Sequence, residues 1–283
     1  MQTAEVEKIL TAAGDLPTMP VVAMKVMSLL SNPDFSTKEL ARIISSDLGI
    51  TAKILKIANS AFYGCSREIA SVDRAVVLLG ARTMKSLVVA ASTKGVYKDS
   101  GLVEQKMWEH GVGVAIGAHI LASELRVTLH EEALVCGLLH DIGKVILKHH
   151  FPEKFEQLYE AMYNQGSTFE DLESQIFGFS HTEVATVVAR HWKLSQSVEC
   201  VLGFQREPQK ISQEQASYKP LAACVNLANE IALYKGIGER QPRTDLNPAA
   251  CPGAAVLGLS PEKVAALVDK INERYAEEKA FFD

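Results

Sequence analysis

An apolar segment near the middle of the chain is interrupted by a histidine, an aspartate and a lysine: Ala133-Leu-Val-Cys-Gly-Leu-Leu-His140-Asp141-Ile-Gly-Lys144-Val-Ile-Leu147. The pattern predicts one helix over residues 131–149, with His140 and Asp141 in its middle. A charged aspartate inside such a helix is costly unless it is paired or bound to something. Imidazole and carboxylate together suit a divalent metal ion. A buried hydrogen bond between the two side chains, helping helices to pack, is an equal alternative.

Two further residues can join this pair. Lys144 lies four residues after His140 and three after Asp141, so it shares their helix face, where an ammonium group could neutralise a phosphate. His110 lies on the preceding predicted helix, 103–125, and antiparallel packing would bring its ring to His140. A single histidine on an apolar helix is more often structural, so His110 adds weight only together with the pair.

Two polar residues later in the chain complete the candidate set. Asn229 projects from an otherwise apolar predicted helix, 217–235. Its amide oxygen would ligate a metal only weakly compared with a carboxylate, and it could simply bond a neighbouring helix. His181 falls in the first turn of a helix that Ser180 can cap, and we expect it at most beside the metal ligands rather than among them.

The remainder of the chain also follows a helical period, so the predicted fold class is all-α with no sheet. Short helices with tight turns predict a compact N-terminal bundle over residues 1–95, in which Gly80 separates two helices. Longer helices over residues 100–283 predict a larger bundle with a C-terminal extension, packed on the first. The polar stretch 93–101 is the predicted boundary, and residues 236–258 are predicted to form a long irregular connection.

Composition narrows the function classes. The 283 residues are 47% hydrophobic and 22% charged, as in ordinary globular proteins, and the net charge of −5 argues against a general nucleic-acid or anionic-membrane binder. Five scattered cysteines predict neither a disulfide framework nor a zinc ribbon, and most of them are expected to be buried apolar residues. Because the N-terminus lacks the apolar core of a signal peptide and the apolar runs are short, we expect a cytoplasmic protein.

The order of these residues resembles a known superfamily. A histidine at 110, a histidine–aspartate pair at 140–141 and a late polar residue at 229 resemble the HD metal-dependent phosphohydrolases. The N-terminal half resembles more specifically the HDOD (HD-related output domain) family. The segments that carry this resemblance are Leu16-Pro-Thr-Met-Pro20, Ser46-Asp-Leu-Gly-Ile-Thr-Ala-Lys-Ile-Leu-Lys-Ile-Ala-Asn-Ser-Ala-Phe-Tyr-Gly64 and Ala75-Val-Val-Leu-Leu-Gly80. It runs from Leu16 through at least Phe204.

The resemblance implies a metal site with one altered position. The HD superfamily ligands map onto His110, His140, Asp141 and Asn229, where the last replaces a family aspartate and loses its negative charge. Of the extra histidines that the related HD-GYP phosphodiesterases use for a second metal, only His181 would match. The paired histidines of that group are replaced here by Phe204-Gln205, so the resemblance does not imply a binuclear centre.

The resemblance also implies a function. HDOD proteins are regarded as signalling output modules, so we expect a non-catalytic bacterial module that stands alone and binds a signalling protein or a small ligand. The alternative is a mononuclear phosphohydrolase or phosphodiesterase acting on a nucleotide. For either function the altered ligand set implies at most one divalent ion (Fe, Mn, Zn, Ni or Mg), weakly held or absent. In the enzyme the ion would activate a water molecule and Lys144 would stabilise the phosphate. A helical scaffold with a purely structural polar cluster is a third option.

Overall fold

The structure, a computed structural model, describes residues 3–60, 63, 68–97 and 101–282. Throughout these residues the regular structure is helical and contains no strand. The predicted all-α class is therefore confirmed.

In the described residues before position 98, the N-terminal part consists of five α-helices: α1 Thr3–Ala13, α2 Val21–Leu30, α3 Thr37–Ser45, α4 Leu48–Ala58 and α5 Val72–Thr93. Polar side chains fix several of their starts, since Ser36, Asp47 and Ser71 each accept a hydrogen bond from a backbone N–H in the first turn. Helices α2, α3 and α4 pack around α5. Gly80, with φ of 79° and ψ of 162°, interrupts α5 at the predicted position and divides it into two segments.

The motif after α4 ties this part together. Asn59 donates its side-chain amide to the carbonyls of Leu55 and Ile69, and its oxygen accepts from the Ile69 N–H at 2.7 Å. This pair of contacts closes the connection between α4 and α5. The ring of Tyr63 lies 6.1 Å from that of His119 on the second half, so this part of the motif packs between the halves. Phe62 and Cys65 of the same motif lie outside the described residues.

Ten helices form the second half: α6 Leu102–Glu124, α7 Ala133–Leu139, α8 Ile142–His150, α9 Pro152–Gln165, α10 Phe169–Ile176, α11 His181–His191, α12 Gln196–Phe204, α13 Lys219–Lys235, α14 Pro252–Leu257 and α15 Pro261–Glu278. Helix α6 is the centre, with α7 and α13 packed along it. A side chain at Gly137 of α7 would meet the backbone of Ala115 at 2.6 Å, so this glycine permits the close contact with α6.

The predicted helix over 131–149 is wrong in one respect that matters for the site. It is divided into α7 and α8, and His140 and Asp141 form the turn between them rather than the middle of one helix. Asp141 has φ of −104° and ψ of 13°, in the bridge region of the backbone, which breaks the helical path. Residues 130–132 form a short 3₁₀ turn before α7. The two short helices can thus pack independently, α7 on α6 and α8 on α11.

Two other segments differ from the expectation. The N-terminal residues, for which no helix was predicted, form α1, which packs against α11 of the second half. The indole N–H of Trp192, at the end of α11, donates to the Pro17 carbonyl at 2.7 Å. The first residues of the chain therefore lie against the larger bundle. The predicted irregular connection 236–258 includes the short helix α14.

The apolar residues are mostly enclosed. Residues 72–97 are, by length and composition, apolar enough to cross a membrane, and 56% of their most apolar window is buried inside the structure. The cysteines at 136, 200, 224 and 251 are buried and free, which confirms the expectation for these four.

Candidate metal centre

His110 of α6 is held by two acceptors. Its Nδ1 lies 3.0 Å from the Ile237 carbonyl and its Nε2 lies 3.0 Å from the side chain of Asn229. Burial, and after it the neighbouring His140, lower the pKa of His110 to about 4. The ring is therefore neutral at physiological pH and carries one N–H. The segment after α13 lies directly against His110, because a side chain at Gly238 would meet the backbone nitrogen of His110 at 2.5 Å.

The single N–H of His110 determines what Asn229 does. As placed, Nε2 faces Asn229 Oδ1, so the single N–H of the neutral ring lies between two acceptor oxygens. If Nδ1–H donates to the Ile237 carbonyl, Nε2 is an acceptor, and the Asn229 amide must be turned so that its NH₂ group donates to it. Asn229 is buried on α13, which packs along α6. The resemblance maps Asn229 onto the fourth metal-ligand position. In the structure Asn229 contacts His110 as a hydrogen-bond partner.

His140 is also fixed from one side only. Its Nδ1 lies 2.7 Å from the Gly137 carbonyl one turn earlier, and the ring is fully buried. Its Nε2 has no hydrogen bond among the described residues and lies 3.4 Å from Asp141 Oδ2. The rings of His110 and His140 have their centroids 5.2 Å apart. This orphaned ring nitrogen is the kind of atom that binds a metal or a proton.

Asp141 is at the centre of the cluster. Its Oδ2 faces His140 and accepts from the Lys144 ammonium at 2.9 Å, while its Oδ1 lies 3.3 Å from the Nε2 of His181. Burial disfavours the charged carboxylate, but His140 and Lys144 outweigh this effect and hold the pKa of Asp141 well below its usual range. The carboxylate is therefore ionised.

His181 is backed by a carboxylate. Its Nδ1 lies 2.8 Å from Glu173 Oε2, which also accepts from the His181 backbone N–H. Burial lowers the pKa of this imidazole, but Glu173 and Asp141 outweigh burial and raise it. Ser180 and Glu183 form a capping box that fixes this first turn of α11, as predicted for the Ser180 cap. A side chain at Gly143 would meet the His181 carbonyl at 1.9 Å, so only glycine lets α8 approach α11 here.

Lys144 links the cluster to a second ion pair. Its ammonium contacts Glu170 Oε1 at 3.1 Å as well as Asp141, and the same oxygen of Glu170 accepts from Arg206 at 3.1 Å. Burial would lower the pKa of Lys144, but Asp141 and Glu170 outweigh it and raise the pKa. Lys144 is therefore a fixed positive charge beside Asp141.

The residues present fit a metal ion. One ligand atom from each of His110, His140 and Asp141 lies within 4.8 Å of the others. Each histidine also has its Nδ1 tied to a carbonyl, which is how metal-ligating imidazoles are usually oriented. His181 lies beside these three residues through its contact with Asp141. Its Nδ1 is also fixed by an acceptor, in this case the Glu173 carboxylate. Two features oppose metal binding: Asn229 brings no charge, and the Lys144 ammonium already contacts Asp141.

The cluster opens into a cavity. A space of about 830 Å³ is lined by His110, Asp141 and Lys144 together with residues of α6, α9 and the segment after α13. Its volume is in the range of small-molecule sites. The lining includes the cations Lys106 and Arg240 and the apolar side chains of Met107 and Met162. The site can thus be reached by a ligand of nucleotide size.

The structure brings all six candidate residues together, including Lys144 and His181. It also adds residues that the sequence did not reveal: Glu173, Glu170, Arg206 and the carbonyls of Gly137 and Ile237. Glu170 lies in the first turn of α10, where acidic residues are usually explained by the helix dipole, and Glu173 follows it by three residues. Backbone carbonyls leave no sequence signal.

A family comparison agrees with this geometry. The model of the HDOD domain matches residues 16–208, which is more than half of the chain. The chain belongs to the HDOD family. The match covers His110, His140, Asp141, Lys144 and His181, and ends before Asn229.

Solved structures support the HDOD assignment. An HDOD domain protein of unknown function from Geobacter sulfurreducens is 23% identical, with a TM-score of 0.82 over 99% of this chain and 98% of that one. A proposed phosphohydrolase from Shewanella amazonensis SB2B is 25% identical, with a TM-score of 0.74 over 97% of both chains.

A relative is also found by sequence. An uncharacterized protein of Treponema pallidum (strain Nichols) is 24% identical over 216 residues, 76% of this chain. The chain spans only 42% of that relative's length.

Proposed function

We propose that this chain is a bacterial signal-transduction output module of HDOD type that acts by binding rather than by catalysis. Its ligand is a signalling protein partner or a small molecule, and we place it in the cytoplasm, in contact with neither nucleic acid nor membrane. Family membership supports the module, and the four buried free cysteines agree with a reducing compartment. Another solved HDOD-like fold is that of a proposed signal-transduction protein from Marinobacter aquaeolei VT8, 21% identical.

One observation carries the non-catalytic part. Asn229 meets His110 as a neutral hydrogen-bond partner at 3.0 Å, where the HD superfamily has an aspartate ligand. At the same time the Lys144 ammonium contacts the remaining carboxylate, Asp141. With one anion and one fixed cation, the cluster offers a divalent ion little net attraction.

The decisive experiment restores the missing charge. The protein is purified without chelators and its Fe, Mn, Zn and Ni contents are measured by elemental analysis, alongside Asn229→Asp and Asn164→Asp. Asn164 lines the same cavity but is exposed, so its change adds equal charge away from His110. We expect the unaltered protein and the Asn164 variant to retain well under one equivalent of metal, and Asn229→Asp to bind at least tenfold more tightly. Full occupancy of the unaltered protein would contradict the proposal.

Partner binding is tested separately. The tagged protein is used to capture partners by crosslinking in its native host, and the double change His140→Ala/Asp141→Ala is compared with it. A signalling protein captured equally by both would support a binding role that does not depend on the cluster. If no partner is recovered and a phosphate ester is hydrolysed, the alternative below is preferred.

A mononuclear phosphohydrolase or phosphodiesterase acting on a nucleotide is the second candidate, and the geometry of the cluster favours it. His110, His140 and Asp141 would hold the divalent ion, which when bound supplies an acidified water and a Lewis acid. Lys144 lies on the cavity side, where its ammonium can offset the charge of a phosphate. The 25% identical Shewanella amazonensis protein has been proposed to be a phosphohydrolase.

This alternative is tested with protein loaded with manganese, iron or zinc on a panel of phosphate esters and cyclic nucleotides. Turnover that is abolished by His140→Ala/Asp141→Ala would establish it. Absence of turnover across the panel, with metal occupancy confirmed in the same sample, would rule against it.

A further inference from the structure

A second concave site lies between the two halves, away from the cluster. It is a groove of about 520 Å³ formed by α2, the second segment of α5, the start of α7 and the turn between α11 and α12. It shares no lining residue with the cavity at Asp141. Glu132 in the groove and His140 flank α7 at its two ends, eight residue steps apart, which at about 1.5 Å per residue is about 12 Å.

The floor of this groove is apolar and the rim is cationic. Val89, Val135 and Val198 are buried side chains in its floor. Arg82, Lys85 and Lys193 lie on its edge, and within the described part of the chain none of these three cations forms an ion pair. The volume is in the range of small-ligand sites. An apolar surface with unpaired cations beside it suits an amphipathic anion.

The two carboxylates in the groove offset only part of the charge of these cations. Glu132 accepts hydrogen bonds from the hydroxyls of Ser195 and Ser197 across the groove, so both of its oxygens are already used. Glu131 lies 3.7 Å from the ring nitrogen of His130. The charged residues of the lining are thus three cations and two carboxylates, a net charge of +1, and Glu132 is directed towards the serine hydroxyls.

The backbone adds to the positive potential. Because Gly80 interrupts α5, a new helical segment begins at Ala81, and this positive end of a helix lies in the groove together with Arg82. Two of the three non-glycine residues with positive φ among the described residues, Leu129 at 67° and Lys193 at 52°, also line it. Such backbone strain is commonly found where a ligand is held.

We propose that this groove binds a small organic anion, with its apolar body on the valine floor and its phosphate, sulfonate or carboxylate group against Arg82, Lys85 and Lys193. The ligand would contact both halves of the molecule at once. It would thus stabilise their packing at the end of α7 opposite the cluster. This site stands or falls independently of metal binding and of the proposed output function.

The test uses two fluorescent probes that differ only in charge. The first, 8-anilinonaphthalene-1-sulfonate, has the aromatic body and an anionic group, and the second, N-phenyl-1-naphthylamine, lacks the sulfonate. We expect saturable binding of the anionic probe that weakens as salt increases, and binding of the neutral probe at least tenfold weaker. Equal affinity for the two probes would overturn the proposal.

Variants locate the binding site. Arg82→Ala/Lys85→Ala is expected to weaken binding of the anionic probe at least tenfold. Ala81→Phe, which adds bulk to the groove wall, is expected to block binding of both probes. The control Lys56→Ala/Arg74→Ala removes two exposed cations of the same half that do not line the groove. Thermal melting of each variant confirms that it is folded. If the control and the groove variants bind alike, the site lies elsewhere and the proposal fails.

Competition then separates the sources of such an anion. Adenosine monophosphate and dodecanoate each displace the probe if the groove accepts that class, and displacement by either supports the proposal. Inorganic phosphate is the third competitor. If phosphate displaces the probe as well as the organic anions do, the apolar floor contributes nothing and the proposal is overturned.

Discussion

The two sides of Asp141 are built from different chemistry. On one side His181 contacts the Glu173 carboxylate and the charge of Asp141, and its pKa is raised. On the other side His110 contacts a carbonyl and an amide, and burial lowers its pKa to about 4. One imidazole is stabilised as a cation and the other as a neutral base. The cluster is thus held by ion pairing on the α11 side and by neutral hydrogen bonds on the α13 side.

This difference bears on metal binding. A metal ion needs neutral imidazoles, so the lowered pKa of His110 favours ligation while the raised pKa of His181 opposes it. The charged side is the stronger structural element, because a buried ion pair that loses one partner leaves an uncompensated charge. Each change below disturbs one side and leaves the other in place.

The largest effect is expected from Gly143→Ala. The added methyl group would lie 1.9 Å from the His181 carbonyl, so α8 must move away from α11 and carry Asp141 with it. We expect at least about 3 kcal/mol of lost stability, since overpacking against backbone is not relieved by a rotamer change. Urea unfolding measures it. Gly49→Ala in α4, where the nearest atom is at 3.4 Å, is the control and should change stability by less than about 1 kcal/mol.

Glu173→Gln is expected to cost about 3 kcal/mol, the usual loss when one partner of a buried ion pair is removed. Glu173 is buried and accepts from both the ring and the backbone N–H of His181. A glutamine can keep one of these bonds but not the charge, so the pKa of His181 should decrease. Urea unfolding and a ring-proton NMR titration measure the two effects. The control is Glu153→Gln in α9, an exposed glutamate, which should change neither quantity.

Much of this arrangement was predictable, because the sequence itself shows the conflict that creates it. Polar His110, His140 and Asp141 interrupt apolar helices, and burying them requires that they meet. The division of the 131–149 helix was not predictable, since the apolar helical pattern continues on both sides of Asp141. What separates α7 from α8 is that each packs on a different partner helix. Local sequence carries no information about that partner.

Glu173 shows the same limit. In sequence it belongs to an acidic helix start with Glu170 and Asp171 and resembles a solvated face. Only the packing of α10 beside the first turn of α11 buries it against His181. The carbonyl of Ile237, 127 residues from His110, was equally invisible, because its role depends on how the chain turns after α13.

The pH dependence should differ in sign between the two sides. His110 has a folded pKa of about 4 against 6.5 unfolded, so its contribution to stability is lost as the pH falls from about 6.5 towards 4, by up to about 1.4 kcal/mol per pH unit. His181 has a raised pKa, so its contribution is fully present below about 6.5 and is lost as the pH rises through the folded value. NMR titration of the ring protons, assigned with His110→Gln and His181→Gln, measures both. Two histidines titrating together near 6.5 would contradict the contrast.

The smallest effect is expected on the neutral side, from Asn229→Ala. The change leaves the His110 Nδ1 bond to the Ile237 carbonyl intact and removes one neutral partner of Nε2. A buried acceptor without a partner costs about 1–2 kcal/mol, clearly less than the loss expected for Glu173→Gln. Urea unfolding compares the two, with Asn164→Ala, an exposed residue, as the control. If Asn229→Ala lost as much stability as Glu173→Gln, the neutral amide would contribute as much as the buried ion pair. The contrast between the two sides of Asp141 would then be contradicted.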